Sequence, residues 1–257
     1  MVKKIILSLV VCVLGVSSAN ATLVFSDGFE TYTAGAVMPV RPAALPPVGY
    51  GWGNFVTPNN DLIVTDIVKA GNQSLKMTRT GTNLCQLVAM GTNNTLADGL
   101  DIVISQDVYL PWWNGTVGGS CENYFGAPTK SGWSINGSAK IAYYQNGVAT
   151  STGLGAERNA WNNYTMVFHL VSQGGTAFSG TWDFYVTNSA GTTYISQTGL
   201  TLGQFNSYDL FPRLYMYAGS TWASNVVYYD NITMTIPEPA TLSIVGLGLL
   251  GVLYRKK

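Results

Sequence analysis

The chemistry-bearing residues of this 257-residue chain are few, and their densest cluster is aromatic. The stretch YLPWWNGTVGG sets Tyr109, Trp112, Trp113 and Asn114 where an alternating strand runs into a glycine-rich loop. Rings of this kind stack on the apolar faces of sugars while neighbouring amides hydrogen-bond the hydroxyls. Trp133 is expected to join the same surface. Burial is the competing reading, because a sandwich with seven tryptophans must place several of them in its core.

Conventional catalytic groups are sparse. His169 is the one histidine, and alternation puts it beside Thr165 and Val167 on one strand face, the setting of a structural or surface histidine. No G-x-S-x-G nucleophile elbow is present. Hydrolysis of a glycosidic bond needs two carboxylates flanking it. Glu122, Glu157 and Asp183 are distant from one another, and nothing in their spacing makes them converge; Glu122, beside Cys121 in the aromatic loop region, is the best placed. Cys85 and Cys121 are 121 − 85 = 36 positions apart. In an oxidising compartment they could close a disulfide worth about 4 kcal/mol on the loop-entropy model, the alternative being two unpaired buried thiols. Two cysteines and one histidine make no zinc site.

The elements that must position these groups read as strands. LDIVISQDVYL puts Ile102, Ile104, Val108 and Leu110 on one face and Asp101, Ser105 and Asp107 on the other. WNNYTMVFHLV alternates Tyr164, Met166, Phe168 and Leu170 against Thr165, Val167 and His169. Hairpins are expected at Asn146-Gly147, a strong two-residue turn signal, and at Asn188 to Gly191. RLYMYAG and VVYYDNITMTI supply late strands. Residues 36 to 60, with five prolines and three glycines, read as a long loop. No amphipathic helix, repeat or interdomain linker stands out. One all-β domain, a two-sheet antiparallel sandwich, is the expected fold.

Both ends of the chain differ from this body. MVKK, the apolar run Ile5 to Val16 and Ala19-Asn20-Ala21 have the layout of a cleaved secretory signal, residues 1–21, which implies the Sec export machinery. Between them and residue 237 the body carries eight Lys or Arg against twelve Asp or Glu, a net charge of 8 − 12 = −4, with no basic patch, which excludes nucleic acid as a partner. Ala240 to Tyr254 is uncharged and ends in Arg255, Lys256 and Lys257. As a helix it would span about 22 Å, short of the ~30 Å hydrocarbon core, so it suits a transient membrane-halting helix with its basic end on the cytoplasmic side. A buried C-terminal helix is the other reading, opposed by Gly246, Gly248 and Gly251 and by the lack of a polar face.

Pro237-Glu238-Pro239, the short apolar span and the basic end together resemble the PEP-CTERM sorting signal of exported bacterial proteins. That resemblance covers residues 237–257 and implies recognition by a membrane-embedded exosortase, cleavage near the tripeptide, and a Gram-negative host that makes exopolysaccharide. The body, residues 22–236, resembles more loosely a jelly roll of the concanavalin A-like lectin/glucanase class, through FSDGFETYTAG, GNQSLKM, WNNYTMVFHLV and VYYDNITM. Sugar-binding relatives of that kind place a structural calcium where first and last strands meet. The matching candidates here are Asp27, Glu30 and Asp230, against the plainer reading of solvated carboxylates at turn and strand ends. The E-x-D-x-E motif expected of a glucanase of this fold is absent.

These readings lead to an exported cell-surface or matrix protein, non-catalytic and associated with exopolysaccharide, after transient insertion in the inner membrane. A polysaccharide hydrolase or lyase of the same fold, and a coat protein without a ligand, are the alternatives.

Overall fold

Alternation of apolar and polar side chains builds this chain into sheet, and among the described residues there is no helix. The computed structural model describes residues 22–37, 51–54, 61–79, 84–90, 98–111, 119–124, 131–135, 140–145, 148–175, 177–206, 213–218 and 225–236. The expected signal peptide and sorting helix lie outside them. In chain order the strands are β1 (Thr22–Asp27), β2 (Gly51–Asn54), β3 (Asp61–Val64), β4 (Ser74–Arg79), β5 (Leu84–Met90), β6 (Asp101–Tyr109), β7 (Gly119–Tyr124) and β8 (Gly132–Ile135). There follow β9 (Lys140–Gln145), β10 (Val148–Gly155), β11 (Trp161–Gly174), β12 (Ala177–Thr187), β13 (Thr193–Asn206), β14 (Arg213–Ala218) and β15 (Asn225–Ile236). For β2, β5, β7 and β14 the description is of backbone and register.

The strands form two antiparallel sheets packed as a jelly-roll sandwich. One has eight strands in the order β13-β12-β11-β6-β15-β4-β3, with β1 also paired to β15. The other has seven, in the order β10-β9-β8-β7-β14-β5-β2. The length of β15 lets it serve two neighbours: Asn225 to Tyr229 pair with β4, and Ile232 to Ile236 pair with β1. First and last strands are thereby adjacent, as a jelly roll requires.

The apolar faces meet in one core. Ile102, Ile104, Val108 and Leu110 of the β6 segment, and Tyr164, Met166, Phe168 and Leu170 of β11, are all at most 2 % exposed. Trp182, Phe184 and Val186 of β12 lie beside them, and Trp133, Ile135 and Ile141 come from the seven-stranded sheet. Each such side chain contributes roughly 1.5–3 kcal/mol by leaving water. The two expected hairpins form: Gln145 pairs with Val148 around Asn146-Gly147, and Thr187 pairs with Thr193 around a turn in which Asn188 Oδ1 accepts the Ala190 and Thr192 N–H groups.

Two expectations are overturned. Within the stretch read as a loop, Gly51–Asn54 pairs with β5 as the outermost strand of its sheet. An edge strand needs hydrogen bonds on one side only, and a glycine-rich segment tolerates that place. The disulfide is the other. Cys85 of β5 and Cys121 of β7 both lie opposite Met216 of β14, the strand between them. Two interstrand spacings separate their Cα atoms by about 10 Å, beyond the ~7 Å that a disulfide tolerates. Strand order keeps the two backbone positions apart.

Candidate functional site

With the even positions of β6 committed to the core, its odd positions face outward, and Tyr109 ends that outward row. Register extends the row across the eight-stranded sheet. Trp161 of β11 and Tyr228 of β15 lie on either side of Tyr109, Lys76 of β4 is opposite Tyr228, and Leu62 of β3 is opposite Lys76. The result is a cross-strand aromatic stripe. Tyr109 and Trp161 have ring centroids 5.6 Å apart at 56°, Tyr109 and Tyr228 5.9 Å apart in an edge-to-face pair, and the Lys76 ammonium is 5.6 Å from the Tyr228 ring centre. Trp161 and Tyr109 are half-buried, while Tyr228 is 5 % exposed. The tilts matter. Rings held edge to face make no flat shelf.

Beside the stripe runs a hydrogen-bonded polar row. Asp107 accepts the Asn163 amide on Oδ1 at 3.1 Å and the Asn231 amide on Oδ2 at 3.0 Å. Asn163 also donates to Ser105 Oγ and accepts from the Thr165 hydroxyl at 2.7 Å. Five neighbouring strand positions are thereby locked in orientation, which keeps the polar groups next to the rings in fixed directions.

Of the residues expected at an aromatic surface, Tyr109 lies in this stripe, while Trp112, Trp113 and Asn114 fall outside the described residues. Trp133 is corrected. It is fully buried and stacks on Tyr164 with centroids 4.1 Å apart, so it belongs to the core and offers no face to a ligand. The burial reading holds for this indole because β8 points it between the sheets. Trp161 and Tyr228 were the residues missed. Stepping by two from His169 back to 161 puts Trp161 on the outward face, so that signal was present; the register shift against β6 between Asp230 and Thr233 hides Tyr228.

Asp230 and Glu30 meet on one turn, residues 66–73, as acceptors of its N–H groups, while Asp27 accepts within its own turn. Asp230, fully buried, takes the backbone N–H of Lys69 and Ala70 on Oδ2 and that of Asn231 on Oδ1. Burial pushes its pKa up against these three donors, and nearby Asp107 adds to the rise. Glu30 Oε1 accepts from the N–H of Asn72 and Gln73, which holds its carboxyl below the ordinary range. Asp27 takes the Phe29 N–H and the Tyr32 hydroxyl. Oxygens already facing N–H donors do not fit a cation, and among the described residues no group of three or more His, Cys, Asp or Glu is spaced to hold one. Asp230 and Glu30 fasten the 66–73 turn to β15 and to the segment after β1 by hydrogen bonds, and Asp27 holds the 27–32 turn.

The acids weighed for hydrolysis do not form a pair. Glu157 receives the Ser189 N–H and hydroxyl, Asp183 lies on β12 of the eight-stranded sheet, and Glu122 is on β7 of the other sheet. His169 is on the outward face, bridging Asp101 (Nδ1···Oδ1 2.8 Å) and Asp183 (Nε2···Oδ2 3.3 Å). Asp183 also accepts the Gly199 N–H and the Tyr185 hydroxyl.

Residues 235–257 match the PEP-CTERM protein-sorting motif. No curated protein matches the sequence. In three dimensions the chain is similar to the marine PL-14 alginate lyase from Aplysia kurodai, at TM-score 0.51 and 11% identity, covering 84% of this chain and 100% of that one. It is similar also to the catalytic domain of the glycoside hydrolase family 131 protein from Coprinopsis cinerea, at TM-score 0.51 and 12% identity, covering 73% of this chain and 83% of that one. Likeness at such identity establishes the jelly-roll fold. The sorting motif implies export and exosortase processing at the membrane.

Proposed function

We propose that this protein is an exported, non-catalytic polysaccharide-associated domain that holds a single glycan chain on the Trp161–Tyr109–Tyr228 stripe. Residues 1–21 direct export, 22–236 are the functional body, and 237–257 halt it transiently in the inner membrane before exosortase releases it to the cell surface or matrix. The observation that carries the glycan reading is the stripe: three aromatic residues in one register row, two of them half-buried, beside an oriented row of Asn, Asp and Ser. Ring faces and fixed polar groups are the two parts of a sugar site. Alginate lyase and glycoside hydrolase folds among the similar structures add support for a glycan ligand. They also favour the enzymatic alternative, against which stands the separation of Glu122, Glu157 and Asp183. A glycan array probed with the exported protein tests the reading. Binding that Trp161→Ala removes is the expected result. No binding to any glycan, the host's own exopolysaccharide included, would overturn it, and release of sugar from a bound polymer would transfer the case to an enzyme.

A further inference from the structure

In the polar row beside the stripe the direction of each hydrogen bond can be read, because one member only accepts. Asp107 is a carboxylate, so the amide nitrogens of Asn163 and Asn231, not their oxygens, must face it, at 3.1 and 3.0 Å. That fixes Asn163 as a whole. Its second amide hydrogen goes to Ser105 Oγ at 2.9 Å, and its oxygen receives the Thr165 hydroxyl at 2.7 Å and the Ser105 hydroxyl at 3.2 Å. Asn163 therefore gives both its hydrogens and fills both lone pairs of its oxygen, while Ser105 and Thr165 each spend their one hydrogen on it. Among the described residues of the row, one amide hydrogen of Asn231 is left to give. The capacity that remains is otherwise oxygen lone pairs, on Asp107, Ser105 and Thr165.

The charge around the row has the same sense. By alternation the outward face of this sheet carries Asp101, Asp107 and Asp183 against Lys76 and His169, and His169 is already held between Asp101 and Asp183. Asp230 is buried at the register position beside Asp107. Asp107 is two positions from Tyr109 along β6, about 7 Å of backbone, whereas Lys76 is two strands away on β4, about 10 Å. The Lys76 ammonium is turned to the Tyr228 ring at 5.6 Å. Ser105, Asn163, Thr165 and Asn231 are half-buried, so the row reaches the surface beside the rings.

We infer that the stripe selects an uncharged glycan and rejects polyuronates and sulfated chains, with Asp107, Ser105 and Thr165 as the residues that set this choice. A sugar hydroxyl can donate to the lone pairs that the row leaves open. A carboxylate or sulfate only accepts, so beside these rings it would lose its water, find one amide hydrogen, and lie close to the Asp107 charge. Specificity built on such a mismatch works by what it excludes. The inference rests on the glycan reading of the stripe and adds the class of glycan to it.

The test uses the exported protein on an array of neutral, uronic and sulfated glycans, and in solution with alginate and with the same polymer after reduction of its carboxylates to primary alcohols. Reduction turns an anionic acceptor into a hydroxyl donor at an unchanged position. Neutral glycans should lead the array, and the reduced polymer should bind at least about tenfold more tightly than alginate at low salt. Raising the salt should narrow that gap, since screening weakens the repulsion. Asp107→Asn should narrow it as well; if that variant does not fold, the salt series on the parent carries the same test. Acidic glycans at the head of the array, alginate bound as tightly as its reduced form, or a gap unmoved by salt and by Asp107→Asn would overturn the inference and leave the stripe standing. So would alginate binding that Lys76→Gln removes, because the cation beside Tyr228 would then be receiving the acid. No binding to any glycan would overturn the reading of the stripe itself, and the inference with it.

Discussion

His169 illustrates how much a single outward residue carries. Burial pulls its pKa down, but the hydrogen bonds and charges of Asp101 and Asp183 outweigh that and raise it above the ordinary 6.5. A histidine whose pKa is higher folded than unfolded contributes stability that is fully present below the unfolded value and lost as pH rises through the folded one. For Asp183, burial raises the pKa, yet the Gly199 N–H, His169 and Tyr185 together lower it below 3.8. Its contribution is present above that value and lost as pH falls through the folded pKa. Melting temperature against pH should therefore fall as pH rises beyond about 6.5, and His169→Gln should flatten that limb. A parent and variant with parallel profiles there would contradict this reading. The role was half legible: alternation put His169 on the outward face, but its two carboxylate partners come from β6 and β12, which local sequence does not join.

Element by element, what alternates could be read and what depends on strand order could not. The inward sets of β6 and β11 follow from period two, and both hairpins follow from turn chemistry. The neighbours of β14 do not follow from anything local, and the expected disulfide failed there. The exported protein should accordingly keep two free thiols at Cys85 and Cys121, both alkylated on unfolding without reductant and both visible as added mass. One bridged pair and no alkylation would contradict the strand order β7-β14-β5. A second element-scale test concerns the β11–β12 hairpin. Gly180 has φ +142°, and a Cβ there would collide with the His169 carbonyl oxygen. Gly180→Ala should cost about 2–4 kcal/mol from backbone strain and displaced strands, read as a lower unfolding midpoint. A midpoint equal to the parent's would mean that the two strands are not this close.

At the scale of the whole molecule, a β-sandwich body is joined to a C-terminal sorting motif. The PEP-CTERM motif at 235–257 and the jelly-roll body were both legible, because one is a contiguous pattern and the other a repeated period. The stripe was only partly so. Tyr109 stood out in its own loop-proximal segment, whereas Trp161 and Tyr228 are brought to it by pairing across 52 and 119 positions (161 − 109 and 228 − 109). Trp133 looked equally aromatic in sequence and is core, since the inward phase of a four-residue strand is not decided by its own residues. We propose that this pairing makes a glycan surface. Co-sedimentation of the exported protein with the host's own exopolysaccharide, parent against the Tyr109→Ala, Trp161→Ala double variant, tests it most directly. The parent should bind, and the double variant should bind at least about tenfold more weakly with its β-sheet circular dichroism intact. Equal sedimentation of two folded proteins would contradict it.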